Sequence, residues 1–86
     1  MNQFTRPPKS TEDELVETIY ALRQELVSLT EKLSPEEKEI ANESMILRLE
    51  KVMPLEKISR GRFLLGMVEA TQAQIKFIKD GGARIQ

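Results

Sequence analysis

The sequence predicts an all-α fold: an antiparallel helical hairpin followed by a third helix, completed into a bundle by dimerisation. Three observations predict it. Leu15, Ile19, Leu22, Leu26, Leu29 and Leu33 are spaced 4-3-4-3-4, the seam of helices packed side by side at a shallow angle. Start and stop signals divide the chain into three helical stretches, at about 12–33, 35–53 and 59–80. No stretch shows the sustained period-two alternation or the Asn-Gly and Asp-Gly turns of a β-hairpin. Eighty-six residues hold one domain, expected here over residues 11–80.

Residues 1–10 read as a flexible basic arm, with Pro7 and Pro8 favouring extended backbone and Arg6 and Lys9 supplying charge. The first helix opens at Thr11-Glu12-Asp13-Glu14, a hydroxyl followed three residues later by Glu, with acids at the positive end of the dipole. Its seam makes Leu22 and Leu26 central core positions. The second helix starts at Ser34-Pro35-Glu36-Glu37, which combines a Ser cap, Pro at the first helical position and Glu at the third. So short a connection folds the two helices back on each other.

On the second helix Ala41, Met45, Ile46, Leu49, Val52 and Met53 share one face, while Ile40 and Leu47 stand nearly opposite. Apolar residues on two sides predict a helix lying between two neighbours. Pro54 lacks an amide hydrogen and ends this helix. The third helix repeats the seam at Leu64, Val68, Thr71, Ile75 and Ile78, and carries a second face of Ser59, Phe63, Gly66, Ala70, Ala73 and Phe77. Gly81-Gly82 stops it, leaving residues 81–86 as a tail.

Composition excludes several chemistries. With no Cys and no His, the chain has no disulfide framework, thiolate nucleophile, Cys-based zinc site or Ser-His-Asp arrangement. Glu36, Glu39, Glu43 and Glu50 form a stripe, but carboxylate metal sites in bundles usually add His and face inward; the stripe reads as a solvated or ion-paired face. No catalytic constellation, cofactor or metal is expected. The densest apolar run, 63–68, is far short of a membrane span, and the N-terminal residues carry no apolar targeting segment. These features predict a cytoplasmic protein without a membrane partner.

Thirteen basic and fourteen acidic side chains leave a net charge of −1, which does not favour nucleic acid as a partner. The charge is unevenly placed, however. Residues 1–10 carry +2, residues 11–53 carry −6 and residues 54–86 carry +3, so the basic third helix should lie alongside acidic neighbours. Lys57, Arg60 and Arg62 crowd the start of that helix and are candidates for contact with an anionic partner.

The small residues Gly66 and Ala70, with Ala73, would let another helix approach closely, flanked by Phe63 and Phe77. Three helices hardly supply enough neighbours for two faces of both the second and third. The sequence therefore predicts an interface at Phe63, Gly66, Met67, Ala70, Ala73, Phe77, Ile40 and Leu47, used for a homodimer and for a protein partner. The expected function is a small non-enzymatic adaptor or regulator that binds a helical surface of a larger protein. The alternatives are a nucleic-acid-associated factor using the basic arm with Lys57, Arg60 and Arg62, or a structural assembly subunit.

Overall fold

The computed structural model describes residues 11–85; the expected basic arm lies outside the described residues. The fold is all-α, with helices α1 (Thr11–Glu31), α2 (Pro35–Val52) and α3 (Arg60–Lys79) and a 3-10 turn (Met53–Lys57) joining α2 to α3. Among the described residues there is no strand.

Local chemistry sets the helix ends. Ser34 Oγ accepts from the Glu37 amide while Glu37 Oε1 accepts from the Ser34 amide, a complete capping box with Pro35 beside it. Pro54 sits within the 3-10 turn, and Ser59, in extended backbone, caps α3 by accepting from the Arg62 amide at 3.0 Å. Pro54 thus separates two helices rather than kinking one. Thr11, the first of the described residues, is already helical, one position ahead of the expected start.

At the other end of α3, Gly81 adopts φ 84°, and the Gly81 and Gly82 amides bond back to the Ile78 and Phe77 carbonyls. This is a Schellman stop. The positive φ at Gly81 favours glycine, and a Cβ at Gly82 would run into the Phe77 ring and force it to shift. The segment beyond is not a free tail. Ala83 is 1% exposed and joins Ala41, Ile78 and Phe77 in a small apolar cluster with Leu26, Leu29 and Leu33.

The helices form an open three-helix layer with α3 in the centre. Arg60–Glu12 (3.2 Å) and Lys79–Glu25 (2.8 Å) pair α1 with α3 in parallel. Gly66 against Val52, and Gln74 bonded to Ala41, set α2 antiparallel to α3. It follows that α1 and α2 run in opposite directions, as a hairpin should, but they barely touch each other. The helix between two neighbours is therefore α3, not α2. Its two faces are both covered: Leu64, Val68, Ile75 and Ile78 are buried, and so are the small residues Gly66 and Ala70, with Gly66 lying against Val52 of α2.

One polar side chain holds the α2–α3 contact. Gln74, 2% exposed, donates from Nε2 to the Ala41 carbonyl at 2.7 Å; its Oε1 accepts from Ser44 Oγ and from Arg48 Nε, both at 3.1 Å. The Arg48 guanidinium lies over the Phe77 ring, 5.7 Å from its centre, a stacking that the fixed Nε contact orients. A buried amide with this set of partners fits one register only, because a shift of one residue would strand it. The α1–α3 contact is the more extensive of the two, but it is apolar and ionic and has no buried polar lock. No residue of α1 is buried, so Leu22 and Leu26, expected at the centre of the core, are half-buried. The two ion pairs along it are exposed and together contribute on the order of 1 kcal/mol.

Replacing Gln74 by Leu leaves Arg48 and Ser44 without their acceptor, and should cost about 1–3 kcal/mol in chemical denaturation; a loss below about 0.5 kcal/mol would mean that the cluster does not hold the register. A second prediction concerns acid. The Ser34 amide holds the Glu37 carboxyl below its ordinary value, assisted by the Ile85 amide, the Ser34 hydroxyl and the charge of Arg84, and opposed by partial desolvation. Because the folded-state value is the lower one, this stabilisation is fully present above the unfolded-state value and is lost as pH falls through the folded one. The Ile85 and Ser34 amide resonances should therefore move together in an acid titration, with a midpoint below the usual glutamate range; a midpoint within that range would contradict the bonding of both amides to Glu37.

Candidate functional site: the groove between the outer helices

Because α1 and α2 lean on α3 but not on each other, a groove of about 580 Å³ opens between them. One wall is α1, with Ile19, Leu26 and Val27; the other is α2, with Met45 and Leu49; Met67 and Thr71 form the floor. The surface is predominantly apolar, and the floor offers no free hydroxyl, since Thr71 Oγ1 donates to the Met67 carbonyl at 2.7 Å. Arg23, Glu31, Lys38 and Asn42 supply the polar groups at its edges. Arg23, Glu31 and Lys38 have no ion-pair partner among the described residues. Tyr20 and Ile46, 64% and 55% exposed, belong to the outward sides of α1 and α2 and extend the apolar surface beyond the groove.

The seam of α1 explains this groove. Its apolar positions span more than one helix face: Leu29 and Leu33 pack against the Ile78 cluster, Ile19 and Val27 line the opening, and Leu26 does both. The face assigned to α2 from the sequence divides in the same way. Ala41 and Val52 are buried against α3, Met45 and Leu49 are half-buried in the groove, and Ile46 and Met53 are exposed.

The structure disperses the sequence-predicted interface. Gly66 and Ala70 are buried within the chain, and a Cβ at Gly66 would meet Leu55 Cδ1 at 3.1 Å and Val52 Cγ1 at 3.2 Å. This corrects the expectation that another chain covers that face: α2 and the 3-10 turn already do. Phe77 is half-buried in the Ala41 cluster beneath Arg48, and Phe63 and Ala73 are half-buried. Of that set only Met67 lines the groove. Ile40 and Leu47, 37% and 61% exposed, stand on α2 away from it.

The basic group at the start of α3 is also divided. Arg60 is engaged by Glu12, Lys57 is exposed in the 3-10 turn, and Arg62 is exposed on α3. Opposite charges thus line adjacent helices α1 and α3, as the uneven charge distribution implies. Glu36, Glu39, Glu43 and Glu50 are exposed, and among the described residues no group of three acidic side chains is placed to hold a metal ion. Also among the described residues, no helix is long and apolar enough to cross a membrane.

Comparison with protein-family models, with curated proteins and with solved structures finds no match to this chain. The groove combines an open apolar surface with charged groups at its edges. The sequence places Ile19 and Leu26 in the α1 seam and Met45 and Leu49 on one face of α2, and does not show that these two faces border one opening. The signal was nevertheless present: an α1 apolar arc wider than one neighbour can cover.

The in-chain packing of Gly66 carries its own test. Gly66→Val would press branched methyls into Val52 and Leu55, and should cost about 1–3 kcal/mol at every protein concentration. A loss seen only on dilution would return this face to an intermolecular role.

Proposed function

We propose that this chain is a small non-enzymatic interaction module, an adaptor or regulator, whose groove between α1 and α2 receives an amphipathic helix from another polypeptide. The observation that carries this reading is that α1, a helix of 21 residues with a continuous apolar seam, has no buried residue. Apolar surface left half-covered on both walls of one groove is stabilised by a fourth helix, which would close the layer into a four-helix arrangement. The methionines at 45 and 67 suit such a role, because an unbranched thioether adapts to the side chains laid against it. Arg23 and Lys38 on one side of the charge balance, and Glu31 on the other, would orient the incoming helix rather than supply most of its affinity.

A photo-reactive residue in place of Asn42, on the groove wall, tests this in the native host, with the same residue at the exposed Leu65 as control. Adducts at 42 should concentrate on one amphipathic helical segment, and those at 65 should not. Equal, unselective labelling from both sites would contradict the assignment of the groove.

A further inference from the structure

The edge of the groove on α1 carries a charge pattern that is complementary to itself. Arg23 and Glu31 stand four residues either side of Val27, and all three line the groove. Arg23 and Glu31 are exposed, and Val27 is 50% exposed. Eight residues of helix separate the two charges by about 12 Å along the axis, too far for them to pair within one helix. Neither has an acidic or basic residue three or four positions away on α1 to pair with. Tyr20, 64% exposed, lies one turn from Arg23 in the direction of Val16.

We infer that the helix received by this groove is α1 of a second copy of the chain, docked antiparallel about a two-fold axis at Val27. This rests on the reading of the groove as a helix-binding site and names its occupant. About that axis residue 23 of one copy faces residue 31 of the other, so two reciprocal Arg23–Glu31 pairs form while Val27 meets Val27. A parallel pairing would set Arg23 on Arg23 and Glu31 on Glu31, and like charges would reject it. Because a two-fold contact uses the same patch on both partners, it closes at two copies and does not propagate into a fibre. Each α1 then lies along the mouth of the other copy's groove, bringing the exposed ring of Tyr20 into the contact, where a large amphipathic side chain makes an effective anchor. Ile40 and Leu47 stay on the outer side of each α2, free for a different protein.

The absence of cysteine from the sequence makes the test clean. Val27→Cys in the full chain should give a disulfide-linked dimer on mild oxidation, and Gln72→Cys, an exposed site on α3, should not. Arg23→Glu and Glu31→Arg should each weaken dimerisation by about tenfold, and the two together should restore it to within about threefold of the parent. Circular dichroism of each variant, all at exposed sites, checks that helicity is kept. A parent chain that stays at the 9.9 kDa monomer mass at about 100 µM would overturn the inference, since that concentration already detects a weak contact. So would a double variant as weak as either single one, or Val27→Cys cross-linking no faster than the control. If the groove probe at position 42 captures a helix of a different protein while Val27→Cys stays monomeric, the groove reading stands and the second copy falls. If Val27→Cys dimerises while position 42 captures nothing, the pairing stands and the groove reading falls.

Discussion

The buried amide of Gln74 fixes the arrangement of everything else. Its three bonds tie the middle of α3 to Ala41, Ser44 and Arg48 on α2, and an unsatisfied amide in that position would be more costly than a loosened apolar contact. Once this register is set, Gly66 falls against Val52 and Leu55, and Phe77 falls beneath Arg48. The small face of α3 is thereby consumed within the chain. What remains of α3 is a single seam, and α1 must take it.

This leaves the molecule with two unequal joints. The α2–α3 joint has buried residues on both helices and a directional polar lock. The α1–α3 joint rests on half-buried leucines, the Leu26–Leu33 end of the apolar cluster and two exposed ion pairs. Ion pairs at that exposure set the relative placement of the helices more than they hold them together. The groove follows from this inequality: α1 is attached along one face and open along the next, which leaves an apolar surface between the outer helices. In this account the functional surface is what remains once α3 has satisfied α2.

Much of the fold was legible because its signals are local. The Ser34 capping box, the Pro54 break, the Ser59 cap and the Gly81-Gly82 stop all depend on groups within a few residues of one another, and sequence displays such neighbours directly. The order of the layer was not legible. Placing α3 at the centre depends on Gln74, a polar residue which hydrophobic periodicity discounts, meeting partners some thirty positions away. The place of Gly66 and Ala70 was hidden for a related reason. Gly66 and Ala70 do mark a close helix approach, but nothing in their own neighbourhood says whether the approaching helix belongs to the same chain. Arg23 and Glu31 were passed over because they lie beside the main seam, where charges are normally solvated; only the open wall around Val27 gives them a shared direction.

The central claim is that α1 is incompletely held by its own chain and is completed by another helix. Amide hydrogen exchange measured at a series of protein concentrations tests it most directly, since exchange reports the local cost of opening each element. The account predicts that protection along α1 rises with concentration, while the amides around Ala41 and Gln74 are already protected in the most dilute sample. If α1 is as protected as α3 in the dilute sample, and gains nothing on concentration, the helix is complete by itself and the account is contradicted.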